Sequence, residues 1–264
     1  MLYRIGKELF NWFRTPRLWT GVAIGLSGFL LQFINLLKVV CGNELGVNIF
    51  ETYAIGCTSS WTMTISVAGL FFSLSDIPYL SSFEMNAIYR SNRRRFILEK
   101  ITYTVICTTF YYMLQFALTI VISISISYTE NEWGLLSFAI NDGVKDSFSP
   151  ATAALFSLLL NFMYGLMLVS ILFFLSILFD KGIAFAMICS FQAIQHFLMM
   201  RSPSFSYFCI FRNSILNYYS EFGKQIIVHI LIEIAIIFIA MVSSVSVRNK
   251  ISFDVWQEGN NKLW

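Results

Sequence analysis

The sequence predicts an all-α polytopic membrane protein, with six transmembrane helices and an N-terminal amphipathic helix lying in the membrane interface. Three observations predict it. Hydrophobic residues make up 57% of the 264 positions and charged residues only 12%, with a mean hydropathy of +0.68. A soluble domain carries about 25% charged residues, so this chain lacks the polar surface to cover a water-exposed fold. The apolar residues fall in six long runs, and residues 1–15 step by three and four instead.

Residues 1–15 come first. Leu2, Ile5, Leu9, Trp12 and Phe13 share one helical face, while Arg4, Lys7, Glu8, Asn11 and Arg14 occupy the other. Such a helix lies in the plane of the interface. Pro16 then marks the turn into the bilayer. The apolar runs lie near 18–40, 52–75, 97–127, 151–179, 183–200 and 224–246. Each is close to or above the roughly 20 residues that cross a bilayer as a helix. Inside lipid a backbone must satisfy its own hydrogen bonds, which makes these runs helices. All four prolines, Pro16, Pro78, Pro150 and Pro203, stand at the ends of runs, where they do least harm to a helix. The first run is too long for a signal-peptide core and has no small-residue cleavage site.

Charge sets the expected orientation. With the N-terminus inside, the outer segments hold Lys38, Lys145, Arg201, Arg212 and Lys224, and the other 13 of the 18 basic residues lie inside. The positive-inside rule puts both termini in the cytoplasm of a multi-pass plasma-membrane protein. An even number of spans agrees with this. The outer stretch 128–150 carries Glu130, Glu132, Asp142 and Asp146 and reads as solvated. The outer segment 201–223 carries Phe205, Tyr207, Phe208, Phe211, Tyr218, Tyr219 and Phe222, too aromatic for a free loop, and is expected to dip into the interface.

The longest polar interruption on the expected inner side is Asp76 to Lys100, DIPYLSSFEMNAIYRSNRRRFILEK. Ser81 and Glu84 form a capping box for a short helix. Pro78 precedes it, and Ser91 and Asn92 end it. Arg90, Arg93, Arg94, Arg95 and Lys100 make this the most basic stretch of the chain. A short capped helix between two long apolar runs is suited to docking a soluble partner. The arginines Arg93 to Arg95, with Lys100, also have a plainer use as anchors to anionic headgroups.

Within the first run, Gly21, Gly25 and Gly28 lie roughly on one face. That face permits close approach either of a helix of the same chain or of a second copy. In the last run His229 and Glu233 are four residues apart and share a face. The pair is either a polar spot on a translocation path or a structural pair. The second reading is preferred, because the pair lies in the outer half of the run. Gln192, Gln195 and His196 form a weaker polar patch in the fifth run. The 27 Phe and 10 Met supply both lipid-facing surface and adaptable apolar cavities.

Several chemistries are missing from the sequence. It contains no G-x-x-x-x-G-K-[ST], H-E-x-x-H or G-x-S-x-G motif, and only two histidines. No catalytic constellation and no metal set are expected. The five cysteines form no CxxC pair. Cys41 and Cys57 both fall near the expected outer face, where a disulfide is one option and two small unpaired hydrophobes the preferred one. A net charge of +3 with no basic tail gives no reason to expect nucleic acid.

Taken together, KELFNWFRTPRLW, the six runs, SSFEMNAIYRSNRRRFILEK and the aromatic outer segment resemble the permeases of ABC-2-type transporters. The resemblance covers essentially the whole chain, read as one permease domain, 1–264. Glu84, Arg93 to Arg95 and Lys100 match the family's acid, short helix, basic cluster and lysine; Ser91-Asn92 stand where the family often has a proline. The resemblance implies that 81–92 is a coupling helix seated in a separate ATP-binding subunit, through Ser81, Phe83, Glu84, Ala87, Ile88, Tyr89 and Arg90. It implies that 1–15 is an elbow helix touching the same subunit. It further implies two permease chains, identical or paralogous, and two ATP-binding subunits that hold ATP and Mg, with no cofactor in this chain. The implied cargo is hydrophobic or amphipathic, a membrane-active peptide such as a bacteriocin or toxin being the first choice, for export or for immunity. A proton-coupled secondary transporter working through His229 and Glu233 is one rival. A non-transporting membrane assembly factor is another.

Overall fold

The structure, a computed structural model, describes residues 2–40, 47–75, 93–124, 127–128, 132–179, 181–201, 209–219 and 222–246. Its elements in chain order are α1 (Leu2–Arg14), α2 (Pro16–Val40), β1 (Val47–Asn48), α3 (Glu51–Gly56), α4 (Ser60–Ser73), α5 (Arg93–Ser123) and β2 (Ser127–Tyr128). A 3-10 turn over Leu135–Ala139, α6 (Asp142–Ser147), α7 (Pro150–Leu178), α8 (Lys181–Arg201), α9 (Ile210–Asn213), a second 3-10 turn over Leu216–Tyr218 and α10 (Phe222–Ser246) follow.

Five of the described helices, α2, α5, α7, α8 and α10, are long and apolar enough to cross a membrane. The chain is thus a helical protein of membrane-spanning character. The expected run 52–75 differs from the others. It is not one helix but two, α3 and α4, parted at Cys57–Ser59. The cause is local hydroxyl chemistry. Thr58 Oγ1 donates to the carbonyl of Ile55 at 2.8 Å, and Ser59 Oγ accepts from the Thr62 amide as the N-cap of α4. Short hydroxyl side chains compete in this way with the backbone ladder.

Helix α7 is the centre of the bundle. Of its spanning window 72% is buried, against 22–33% for the other four. It packs on α10, α5, α8 and α3. Helix α4 runs antiparallel to α2, since Gly21 meets Gly69 and Ser73 while Gly28 meets Thr62. A Cβ on Gly21 would lie 2.6 Å from the Gly69 carbonyl oxygen, so the two backbones touch. Large apolar side chains such as Trp19, Phe110, Val121, Phe197, Phe238 and Ile239 remain exposed around the outside, as a lipid-facing surface requires.

The end of the bundle away from α1 carries a packed cap. β1 and β2 pair in parallel through Val47 with Ser127 and Asn48 with Tyr128. In the segment 132–149, Glu132, Asp142 and Asp146 are exposed as expected, but Leu136, Ile140 and Val144 are buried in the core. Asn217 Oδ1 accepts from the Asn141 amide at 2.6 Å, which ties this segment to the one after α9. There, among the described residues, the aromatic Phe211 and Tyr219 turn inward and join the core with Ile215 and Leu216, while Tyr218 is exposed. Phe205, Tyr207 and Phe208 lie outside the described residues.

Candidate functional site

Residues 76–92, and with them Ser81, Phe83, Glu84, Ala87, Ile88, Tyr89 and Arg90, lie outside the described residues. The helices that lead into and out of this segment are described, and α1 is fastened to both. Helix α1 has the amphipathic form that the spacing predicts. Ile5 and Trp12 are buried, Leu9 and Phe13 pack against the core, and Lys7, Asn11 and Arg14 are exposed. Burial of a Trp and an Ile side chain supplies about 2–3 kcal/mol each as an upper figure.

Two polar contacts fix where α1 sits. Trp12 Nε1 donates to the Ser73 carbonyl at 3.1 Å, and Ser73 is the last residue of α4. Lys100 Nζ, on the second turn of α5, pairs with Glu8 Oε1 at 3.1 Å. The ammonium also faces the rings of Phe96 and Tyr103, at 5.6 and 5.9 Å. Phe13 meets Phe110 of α5 edge to face at 5.3 Å. Helix α1 therefore ties the end of α4 to the start of α5. Arg95 reaches Glu99 at 3.5 Å and is largely exposed; the side chains of Arg93 and Arg94 lie outside the described set. Trp19 Nε1 donates to the Phe13 carbonyl at 3.1 Å, which closes the turn at Pro16.

The three glycines of α2 are all covered by this same chain. A Cβ on Gly25 would strike Gln115 Nε2 and Tyr111 Oη of α5, and one on Gly28 would crowd Thr62 at 3.2 Å. Around Gly25 lies a polar knot that sequence reasoning misses. Tyr111 Oη donates to the Ser66 carbonyl at 2.7 Å and accepts from Gln115 Nε2 at 2.8 Å. Ser66 Oγ donates to Gln115 Oε1 at 2.7 Å. All three residues are buried. The signal for it was present, since Gln115 is an amide in the middle of an apolar run.

In α10, His229 Nε2 and Glu233 Oε1 stand 3.1 Å apart, both buried, but not aligned for a hydrogen bond. Neither Glu233 oxygen has a hydrogen-bond partner among the described residues. Gln192 and His196 of α8 do not share one environment. Gln192 Oε1 accepts from Tyr164 Oη of α7 at 2.5 Å. His196 Nδ1 instead meets Thr64 Oγ1 of α4 at 3.0 Å, with its ring against Trp61. Gln192 thus belongs to the α7–α8 contact, while His196 belongs to the α4–α8 contact.

Two further buried groups are Cys57, weighed above as a disulfide partner or a small unpaired hydrophobe, and Glu51, which the sequence reading did not single out. Cys57 is a free thiol that accepts from Asn161 Nδ2 at 3.1 Å; Cys41 lies outside the described residues. Glu51, at the start of α3, is wholly buried. Its Oε2 accepts from the Asn48 amide at 3.1 Å, and burial pushes its carboxyl up to about 7. Among the described residues no group of three His, Cys, Asp or Glu side chains gathers as a metal site. The chain matches no protein-family model, no curated protein and no solved structure.

Proposed function

We propose that the chain is the membrane-spanning subunit of an ATP-driven exporter of the ABC-2 type. The observation that carries this reading is the double fastening of α1, through Trp12 to Ser73 and through Glu8 to Lys100. Any force applied to residues 76–92 from the aqueous side reaches α4 and α5 together, because α1 holds their ends as one body. A rigid foot of this kind suits a protein whose energy comes from a soluble partner, by rigid-body switching rather than chemistry in its own interior. The proposed partners are two ATP-binding subunits, which hold ATP and Mg, and a second permease chain. The segment 81–92 is the proposed docking helix, on the cytoplasmic face of the plasma membrane. The proposed cargo is hydrophobic or amphipathic, a membrane-active peptide first.

The test is deletion of 81–92 from a tagged chain, with solubilisation in mild detergent. The proposal expects a nucleotide-hydrolysing protein to co-purify with the intact chain and to be lost on deletion, with helicity retained. Co-purification that survives the deletion removes the docking role.

A second reading has one observation in its favour. Buried intramembrane carboxylates are costly, and Glu233 is buried without a hydrogen-bond partner among the described residues. This supports proton-coupled transport through His229 and Glu233. Glu233→Gln would then abolish transport, whereas under the first reading transport persists.

A further inference from the structure

At the α1 end, a cavity of about 240 Å³ opens on the side of the bundle. Trp12 and Phe13 of α1, Leu18 of α2, and Phe110, Met113 and Ala117 of α5 line it. Its walls are apolar. The one polar group on these six side chains, the Trp12 indole N–H, is turned away to the Ser73 carbonyl. Phe110 and Met113 are 47% and 53% exposed, so the notch opens onto the apolar outside of a spanning helix rather than into the protein. Its volume is below the roughly 300–1,000 Å³ of pockets that enclose compact ligands. It fits a length of hydrocarbon chain.

Exposed basic residues adjoin the lining residues along the chain. Arg14 follows Phe13, and its guanidinium stands 4.1 Å over the ring of Phe10, one turn from Phe13. Arg17 precedes Leu18 and is exposed. Lys7 is exposed on the same helix as Arg14. The described acid on α1, Glu8, is engaged by Lys100. An apolar notch whose lining residues Phe13 and Leu18 are each next in sequence to an exposed arginine, beside an amphipathic helix, matches one amphiphile: an acyl chain below, a phosphate above.

We infer that the notch between α1, α2 and α5 is a binding site for one anionic phospholipid of the leaflet that holds α1. The chain fills the space beside Ala117, and the headgroup phosphate lies against Arg14 and Arg17. The lipid then packs α1 onto α5 alongside the Phe13–Phe110 contact.

The test uses the full chain, delipidated in detergent. Phosphatidylglycerol and phosphatidylcholine of identical chains are titrated in turn, with bound lipid counted by native mass spectrometry. The wild-type chain is expected to hold one phosphatidylglycerol more tightly than phosphatidylcholine, by about fivefold for each arginine engaged. Arg14→Gln with Arg17→Gln brings the first lipid down to the level of the second. Ala117→Phe fills the notch and weakens both. All three positions are exposed, so these variants should keep wild-type helicity. Equal binding of the two lipids by the wild-type chain would mean unselective annular lipid and overturn the inference. So would phosphatidylglycerol binding unchanged by Ala117→Phe. The comparison on the wild-type chain decides even where a variant fails to fold.

Discussion

Replacing Gly69 with alanine tests the packing on which the bundle rests. Its Cβ would lie 2.3 Å from the Gly21 carbonyl oxygen and 2.8 Å from the Gly25 amide nitrogen, with Tyr111 Oη at 2.4 Å. Two of these three atoms are backbone and cannot rotate away. Ordinary contact begins at 3.4 Å, so α2 and α4 must part by about 1.1 Å (3.4 minus 2.3). Overpacking of this kind costs about 1–3 kcal/mol. Tyr111 must also move, which strains its bond to the Ser66 carbonyl and, through Gln115, the rest of the knot. Each such bond contributes about 0.6 kcal/mol in a membrane protein. The total expected loss is about 3 kcal/mol. Gly6→Ala is the matched control: nothing lies within 4 Å of its Cβ, and in mid-helix it should gain about 0.5–1 kcal/mol. Unfolding of the two variants in a graded denaturing detergent, followed by circular dichroism, measures both. Gly69→Ala within 0.5 kcal/mol of wild type would refute close α2–α4 contact.

Glu8→Gln takes the charge partner from Lys100, which is almost fully buried. About 1–2 kcal/mol should be lost, and protease cleavage between α4 and α5 should speed up if α1 loosens; unchanged cleavage counts against the tie. Gln115→Leu deletes the hub of the polar knot and leaves Ser66 Oγ without its acceptor. A loss of about 1–2 kcal/mol in the same unfolding assay is expected, and a gain would mean that the knot is not a net stabiliser. Glu51 gives a pH signature. Its folded pKa, about 7, exceeds the unfolded value of 4.5, so the fold holds a proton that the unfolded chain releases. Stability should therefore fall as pH rises from about 4.5 to 7 and level off above, by at most about 3 kcal/mol. Glu51→Gln should flatten that slope, and an unaltered slope would remove Glu51 as its source.

The helical, membrane-spanning character was legible in the sequence because composition and run length are global signals. The face of α1 was legible for the same reason, since Ile5, Leu9, Trp12 and Phe13 repeat at the helical period. The break at Cys57–Ser59 was not, because Cys, Thr and Ser barely lower hydropathy and act through single hydroxyl hydrogen bonds. Gly21, Gly25 and Gly28 announced a close approach but not its partner; only the fold brings Gly69, Gln115 and Thr62 to them. Glu8 and Lys100 are 92 residues apart, and no local pattern relates them. The aromatic run before α10 was visible, but whether a ring such as Phe211 faces lipid or core depends on the space beside Tyr164 of α7 and His196 of α8, which hydropathy does not encode.

The most direct test of the proposed function is the mass and activity of the native assembly purified through this chain. The proposal predicts a particle of two permease chains and two nucleotide-binding subunits that hydrolyses ATP, with hydrolysis stimulated by the cargo. A particle that holds this chain alone, moves cargo across liposomes and is indifferent to ATP would contradict it.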